Sequence, residues 1–440
     1  MNIAQVLTLS IGLSYALMNG TLAALASSAA HPARSQPSNA KDSSMVMLED
    51  LIGELIQRNP ELQAFRKGYE AAQTRPSQEK ALPEPRLTFG WISNGNPLPG
   101  TGLGVEPTSN VGFQIAQEFP YSGKRELKAI IAGKEAHSLG WLYQAKELEL
   151  VRQLKQSFYG WQFTDDALRL VDESHDVLRQ MARVAEASYA SGKGIQQDLI
   201  RIEVEISILD SRRVLLRQKQ QTLQSEINTM VNQSPERTLG RPQPVFAVPQ
   251  LLPFENLVQT LSDNSPVLRA QRDLVDSRHF GIAMAKKEYY PDLDLMGGYY
   301  NMGGMRDMWE FKFQLKVPVY FWQKQRSGLE EASYRLVEAQ KTHRASEQAL
   351  KNRLREQYLA AQAAEKLMQL YRKRIVPQSR LALQSALASY ESGMTEFVTV
   401  LTNANTILDY EMSYLEQRAE FLKAVAALEE ITGMPFEASR

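Results

Sequence analysis

Residues 309–317 read WEFKFQLKV, a strict alternation of apolar and polar side chains. A period of two is typical of a β-strand with one apolar and one hydrated face. Three further stretches show a similar alternation, at residues 87–91, 111–119 and 293–299. They form two pairs, separated by the Gly- and Pro-rich residues 93–109 and by the short turn 301–305, so the pattern predicts two β-hairpins, at residues 86–119 and 292–318.

Large apolar residues fall on one face of these strands, whereas Glu310, Lys312 and Lys316 fall on the other. An apolar exterior and a polar interior are typical of a transmembrane β-barrel. The residues that we predict to face lipid are Phe89, Trp91, Phe113, Phe311 and Phe313. Four strands cannot close a barrel, so this interpretation requires several chains. The alternative is an ordinary antiparallel sheet with one hydrated face.

Each hairpin is followed by a long helical run, at about residues 124–190 and 326–391, then by a glycine-containing turn and a return helix. The first run would extend about 100 Å, because an α-helix rises 1.5 Å per residue. Apolar residues such as Leu148, Val151 and Phe158 recur there at steps of three, four or seven. This spacing predicts a coiled-coil seam rather than a compact domain.

The second half of the chain repeats the first. Asn59-Pro60-Glu61-Leu62 recurs as Ser265-Pro266-Val267-Leu268, and Pro85-Arg86-Leu87 recurs as Pro291-Asp292-Leu293, at one offset (266 − 60 = 291 − 85 = 206). These matches predict an internal duplication, with a helix at the start of each half, at about residues 47–82 and 254–290. The predicted divisions are a first repeat at 46–233, a proline-rich linker at 234–253, a second repeat at 254–433 and a tail at 434–440.

Composition excludes several classes of function. Lys+Arg and Asp+Glu both number 50, so no basic surface is expected and nucleic acid is not a predicted partner. The chain contains no cysteine, which excludes disulfides, thiolate metal sites, cysteine nucleophiles and a lipid anchor on an N-terminal cysteine. Its five histidines are too far apart in the sequence to show the spacing of metal ligands, and no set of catalytic residues is recognisable. The sequence therefore predicts neither a cofactor nor an enzyme.

The N-terminal region is apolar and uncharged from Ile3 to Leu25 and ends in Ala24-Leu25-Ala26. We interpret residues 1–26 as a secretory signal peptide, with cleavage after Ala26 or Ala30, and residues 27–45 as a polar N-terminal segment. An uncleaved membrane helix is the alternative, because Lys and Arg are absent before the apolar stretch. No later segment has the roughly 20 consecutive apolar residues that a membrane helix needs.

The duplicated order of helix, hairpin, long helix, Tyr-x-x-Gly turn and return helix resembles the TolC-like outer membrane efflux family over residues 45–436. The motifs that carry this resemblance are Asn59–Leu62, Tyr189–Gly192, Val317–Val319, Tyr390–Gly393 and Leu428–Gly433. It implies a mostly α fold with a β-barrel portion. Three chains would form a twelve-stranded barrel in the outer membrane of a Gram-negative bacterium, continued by a periplasmic α-helical barrel.

The resemblance also implies a function and partners. The chain would be the passive outer-membrane duct of a tripartite efflux system for metal ions or small toxic compounds, and it would catalyse no reaction. Its partners would be two further copies of itself, outer-membrane lipid, a periplasmic adaptor (membrane fusion) protein and an inner-membrane pump, often of the resistance-nodulation-division type. The alternative interpretation is a periplasmic adaptor or coiled-coil scaffold without a membrane barrel, although such proteins lack two aromatic hairpins.

In members of the family the two helix turns form the periplasmic tip and gate. The resemblance assigns this role to Tyr189, Gly192, Gly194, Asp198, Tyr390, Gly393, Thr395, Thr399 and Thr402. The glycines allow each helix to end and reverse, and the two tyrosines are expected to pack beneath the turns. Three copies of Asp198 would form an acidic ring. The threonines stand where well-known members carry an arginine and aspartates, so the usual ionic latch is in doubt, and a plain helical turn is the alternative.

Four methionines surround the second hairpin turn, at residues 296, 302, 305 and 308. Thioethers bind soft metal ions such as copper(I), so Met302, Met305 and Met308 are candidate metal ligands. The alternative is a flexible loop that tolerates methionine.

Overall fold

The computed structural model describes residues 45–94, 96–192, 194–245, 249–392 and 394–436. The predicted signal peptide, residues 27–44 of the polar segment, Gly393 and residues 437–440 of the tail lie outside the described residues. Within the described ranges, no helix has both the length and the apolar composition needed to cross a bilayer.

The described elements follow the same order in both halves. Those of the first half are β1 (Met45–Val46), α1 (Leu48–Arg58), α2 (Pro60–Lys80), β2 (Arg86–Ile92), β3 (Asn110–Phe119), α3 (Lys124–Ala190) and α4 (Gln196–Met230). Those of the second half are β4 (Arg241–Pro242), α5 (Phe254–Asn264), α6 (Pro266–Lys287), β5 (Asp292–Asn301), β6 (Met308–Lys316), α7 (Lys324–Leu370), a π-helical turn (Tyr371–Ile375), α8 (Val376–Glu391) and α9 (Phe397–Thr432). The fold is mostly helical with a smaller β portion, as predicted.

The prediction of a single helix before each hairpin is wrong, because each of these segments consists of two helices. Pro60 and Pro266 are the first residues of α2 and α6. Proline suits a first helical turn, where its missing N–H is not needed, and it disfavours helical backbone at the preceding residue. Asn59 and Ser265 accordingly have ψ angles of 120° and 119°. The repeated motif is therefore a helix–helix corner.

Asn59 stabilises the first corner through both ends of its side-chain amide. Its Oδ1 accepts a hydrogen bond from Leu62 N at 2.9 Å, and its Nδ2 donates to Met230 O at 2.8 Å. We expect Asn59→Ala to lower the free energy of unfolding by about 1–2 kcal/mol, since a helix cap and a tertiary hydrogen bond are lost together. Urea unfolding of the purified protein measures this.

Ser265→Ala is the matched control, because Ser265 occupies the same corner in the second half and its side chain makes no capping hydrogen bond. This control is expected to change stability little. Equal losses in the two variants would contradict the role of the Asn59 amide.

The two predicted hairpins are confirmed, and they join in one antiparallel sheet of order β2-β3-β5-β6. The junction is β3 against β5, which runs from Val111 opposite Asn301 to Phe119 opposite Leu293. At the loop end, Gly104 N donates to Met302 O at 2.9 Å, and a Cβ atom on Gly104 would lie 2.8 Å from Gly304 N. The short strands β1 and β4 pair in parallel, which attaches the linker to the N-terminal end of the described chain.

The two long helical arms differ in regularity. Helix α3 is continuous over 67 residues, about 100 Å. The helical run predicted in the second half is continuous from Lys324 to Glu391, but a π-helical turn within it separates α7 from α8. Pro377 is the second residue of α8, two positions after the last residue of this turn. Proline removes a backbone donor and clashes with the preceding helical turn, and the wider π-turn accommodates this.

The main core lies where α3, α7 and α9 meet the short helices. Phe158 and Trp161 of α3 and Phe421 of α9 are fully buried there. The closing motif contributes ion pairs at its margin: Glu429 lies 2.5 Å from Lys155, and Glu430 lies 2.6 Å from Arg152 Nε, although that N–H is not aligned for a hydrogen bond.

Candidate functional site

Aromatic side chains form a row across the four strands. Phe89 lies opposite Phe113, Phe113 opposite Tyr299, and Tyr299 opposite Trp309. Their ring centroids are 6.4, 6.0 and 5.0 Å apart in that order. Each strand thus contributes one ring at the same level of the sheet.

This row belongs to a continuous apolar face, since paired residues of neighbouring strands point to the same side and side chains alternate along each strand. The predicted lipid-facing residues all lie on this face and are exposed in the protomer: Phe89, Trp91, Phe113, Phe311 and Phe313. Leu87, Ile115 and Leu315 extend the face. An exposed apolar surface of this extent is typical of a surface that meets lipid or a partner. Contact with lipid itself stays a prediction.

The opposite face of the sheet is polar, as the alternation predicts. Glu310, Lys312 and Lys316 lie on it. Lys312 Nζ lies 2.6 Å from Glu310 Oε1, and Arg86 lies 4.0 Å from Asp294. Paired charges of this kind suit a surface in contact with water.

The outer edges of the sheet are β2 and β6, and neither has a further strand beside it in the described part of the chain. Each edge therefore presents a row of backbone N–H and C=O groups without strand partners. Such edges pair readily with strands of other chains.

A buried lysine joins the sheet to the long helices. Lys124, the first residue of α3, is 4% exposed, and its Nζ lies 2.8 and 3.0 Å from the carboxylate oxygens of Asp292, at the start of β5. Glu288 lies 3.6 Å from the same nitrogen, and Tyr121 N donates to Asp292 Oδ1 at 2.7 Å. These bonds tie the end of the first hairpin to the beginning of the second.

At the other end of α3, the turn into α4 depends on two glycines. Gly192 has a φ of +73°, which favours glycine, and its N–H donates to Tyr189 O at 2.9 Å. Gly194 N donates to Ser188 O at 3.0 Å, and a Cβ atom on Gly194 would lie 3.1 Å from Tyr189 N. The packing prediction for Tyr189 is wrong, because its side chain is 48% exposed.

The second turn differs in its packing. Tyr390 contacts Phe397 at the start of α9, with ring centroids 5.4 Å apart, as predicted for a tyrosine beneath a turn. Met394 N donates to Ser389 O at 2.8 Å across the turn. Gly393 lies outside the described residues, so its predicted role stays a prediction.

The two turns come together in one protomer. Asp198 lies in the first turn of α4, and partial burial raises the pKa of its carboxyl, with the Arg201 cation opposing and the Glu396 anion reinforcing this shift. Burial and then the charge of Asp198 likewise raise the pKa of Tyr390. Phe397 and Leu401 of α9 share a core cluster with Leu178 of α3. Acidic groups from both halves therefore lie near one another at this tip.

This combination of an apolar-faced sheet, two long helical hairpins and paired turns corresponds to a known family. The family model described as outer membrane efflux protein matches residues 51–230 and 257–434. The chain belongs to this family. It is accordingly a channel component of an efflux system in the outer membrane of a Gram-negative bacterium, with its helical part in the periplasm.

Individual relatives of this efflux protein are distant in sequence. The cobalt-zinc-cadmium resistance protein CzcC of Cupriavidus metallidurans is 22% identical over 293 residues, which are 64% of this chain and 67% of CzcC. The CusC structure superposes with a TM-score of 0.76 at 15% identity and covers 88% of this chain and 92% of CusC. The structure of the outer membrane protein VceC of Vibrio cholerae superposes with a TM-score of 0.74 at 16% identity. The match covers 89% of this chain and 97% of VceC. These structures share the fold.

Glu396 is a tip residue that sequence reasoning missed. Tyr189 and Tyr390 are 201 residues apart, so Thr399 is the equivalent of Asp198 in the second half of the efflux protein. The acidic residue there stands three positions earlier, at the cap of α9. A search for any carboxylate within one helical turn of the expected position would have found it.

The predicted threonines stand on the first turns of α9 or directly before it. Thr395 is half-buried, whereas Thr399 and Thr402 are exposed, and Thr402 Oγ1 donates to Val398 O at 2.8 Å. They bring no charge to these positions, and their role in gating stays a prediction.

The candidate methionine ligands have different surroundings. Met302 is buried and its backbone carbonyl accepts a hydrogen bond from Gly104 N in the first hairpin loop, whereas Met305 and Met308 are exposed. In the ranges that the structure describes, no group of three or more His, Cys, Asp or Glu residues is placed to hold a metal. A thioether site at this turn stays a prediction.

The tip carboxylates predict a pH dependence of ion selectivity. The raised pKa means that Asp198 takes up its proton at a higher pH than an ordinary aspartate, so the tip loses negative charge early as the pH falls. We expect Asp198→Asn to lower the cation preference at neutral pH. Glu396→Gln removes a charge that raises this pKa, so the loss of cation preference should move to lower pH.

Permeability ratios from planar-bilayer recordings at graded pH measure both effects. Glu396→Asp is the matched control, because it keeps the charge. The quantity compared is the pH at which half of the cation preference is lost. If this pH stays constant or rises in Glu396→Gln, the predicted interaction between the two carboxylates is contradicted.

Proposed function

We propose that the efflux protein works as a homotrimer, in which three four-stranded sheets close a twelve-stranded barrel in the outer membrane. The observation that carries this proposal is one sheet with an exposed apolar face, a polar face and two outer edges without strand partners in the described chain. In a bilayer every backbone polar group needs a partner, and a barrel closed between chains supplies partners for both edges. The α3–α4 and α7–α9 hairpins then continue the wall as a periplasmic tunnel.

The trimer is a passive conduit that catalyses no reaction and binds no cofactor. Its partners are a periplasmic adaptor protein, which docks at the helical tips, and an inner-membrane pump of the resistance-nodulation-division type. Outer-membrane lipid surrounds the apolar face. The helical turns support docking at the tips, because they are the ends of the periplasmic part that lie farthest from the sheet.

The cargo that we propose is divalent heavy-metal cations. Two observations support this choice: the printed name of CzcC describes cobalt, zinc and cadmium resistance, and Asp198 and Glu396 place negative charge at the tip. An acidic ring at a constriction favours cations over anions. Small toxic compounds are the second candidate, because the chain shares only its fold with VceC and CusC, at 16% and 15% identity, and a shared fold does not determine the cargo.

The assembly is tested on protein extracted from membranes in mild detergent. Light scattering coupled to size exclusion should give the mass of three chains, and unheated samples should migrate differently from boiled samples on gels. A folded monomer that does not fractionate with the outer membrane would overturn the proposal.

The cargo is tested in a host that lacks the gene. Restored growth on zinc or cadmium, but not on a panel of organic toxicants, supports the cation assignment, and the opposite pattern rejects it. Affinity purification of the tagged protein should also recover an adaptor and a pump.

A further inference from the structure

Tyr300 lies flat against the polar face of the sheet. It follows Tyr299 of the aromatic row in β5, so its side chain points to the opposite side of the sheet. The Tyr300 hydroxyl oxygen lies 3.1 Å from Glu310 Oε2 on β6 and 3.3 Å from Gln114 Oε1 on β3. The ring therefore runs along its own strand, and its hydroxyl is held between side chains of the two neighbouring strands.

Two glycines make room for this flat ring. Gly298 lies between Gln114 and Glu310 in the register of the sheet. A Cβ atom on Gly298 would come within 2.8 Å of Tyr300 Cε2 and 3.0 Å of the hydroxyl oxygen. On Gly112, which is paired with Tyr300, a Cβ atom would come within 2.6 Å of Tyr300 Cδ1. A side chain at Gly298 would thus lift the end of the ring from the sheet.

The acceptor of the hydroxyl is itself fixed in place. Glu310 Oε2 faces the Tyr300 hydroxyl, whereas Glu310 Oε1 lies 2.6 Å from Lys312 Nζ on the same face of β6. A hydrogen bond to an ionised acceptor is stronger than one between neutral groups. Glu310 is therefore a positioning residue for the ring, and Lys312 fixes the carboxylate.

The polar face beside Tyr300 has few side chains. Gly90 is paired with Gly112, and nothing lies within 4 Å of the point that a Cβ atom on Gly90 would occupy. Glycine weakens the interior of a strand, because it has no side chain to pack. Strand stability therefore does not explain three glycines close together on one face, and together they leave the polar surface beside the ring low and open.

We propose that Tyr300 is a movable pore-lining residue that determines how large a cargo the barrel admits. The inference rests on the proposed barrel, in which the polar face lines the lumen. While Glu310 and Gln114 hold the ring flat, the lumen stays wide. A released ring turns into another side-chain rotamer and projects from the wall, and three copies then narrow the passage at one level.

Thiol labelling from outside the cell tests this role, because the native chain has no cysteine. Gln314→Cys places a thiol on the polar face of β6, on the helix side of Tyr300, so a reagent that enters from the loop end must pass the ring. Intact cells are treated with maleimides that carry poly(ethylene glycol) chains of graded length. Val105→Cys, in the exposed first hairpin loop, is reached without passing the ring and corrects for the reactivity of each reagent.

Gly298→Ala should slow labelling of the Gln314→Cys probe by the long reagents several-fold and leave labelling by the shortest reagent unchanged, because the added methyl group lifts the ring into the lumen. Adding Tyr300→Ala should restore labelling by the long reagents. Gly297→Ala is the matched control. It adds the same methyl group on the apolar face, where the nearest atom is 3.8 Å away, and it should change nothing.

Glu310→Ala should slow labelling by the long reagents as Gly298→Ala does, because the hydroxyl loses its charged acceptor. If the long reagents label the Gln314→Cys probe equally in all these variants, Tyr300 only covers the glycine beneath it, and the inference fails while the barrel stands. If no reagent labels this probe in the otherwise native chain, although Val105→Cys is labelled, the proposed lumen itself is wrong.

Discussion

Phe313→Lys is expected to prevent assembly of the channel in the membrane. Phe313 is 80% exposed in the protomer and lies near the middle of the apolar face. Lysine at the midplane of a barrel costs about 2–4 kcal/mol in each subunit, and in the proposed trimer this cost arises in all three copies. The measurement is the fraction of protein that migrates as heat-resistant trimer after membrane extraction, together with the urea midpoint in vesicles.

Gln314→Lys is the matched control. It adds the same charge at the next residue of β6, which points to the polar face. This variant should keep its trimer and change ion conductance instead. Equal loss of trimer in both variants would mean that the apolar face does not meet lipid.

Lys124→Met is expected to lower the free energy of unfolding by about 3 kcal/mol. This is the lower part of the range for removing one partner of a buried ion pair, because Asp292 and Glu288 keep some contact with solvent. The substitution leaves the Asp292 carboxylate without its cation at the point where sheet and helices join. Urea unfolding of the detergent-solubilised protein measures the loss.

Two further variants make this result specific. Lys128→Met removes the same charge one helical turn along α3 from an exposed site, and it should have little effect. When Lys124→Met is added to the Asp292→Asn variant, it should lower the free energy of unfolding by less than it does in the native protein, because the ion pair is already broken. If the losses of unfolding free energy from the two substitutions simply add, Lys124 and Asp292 do not form a coupled ion pair.

Local patterns predicted most of the fold. The alternation at 309–317 identified β6 correctly because side-chain direction in a strand depends only on sequence neighbours. The helix corners at Pro60 and Pro266 also have local signals, and the error there was to let apolar periodicity outweigh proline. The π-turn before Pro377 likewise has a local signal in that proline.

The candidate site was predicted in part. The five predicted lipid-facing residues share one face, which follows from alternation once the hairpin registers are known. Asp198, which the resemblance assigned to the tip, lies in the first turn of α4, and its role in the gate stays a prediction. Glu396 was missed, because its proximity to Asp198 arises between residues almost two hundred positions apart.

From sequence alone came the strands, the long helices, their order and their amphipathic faces, since each depends on the spacing of apolar side chains within one segment. Only the tertiary structure decided that β3 pairs with β5, that Lys124 meets Asp292 and that both tips converge. These contacts join distant parts of the chain, and their free energy comes from hydrogen bonds, ion pairs and burial that exist only after the two halves have come together.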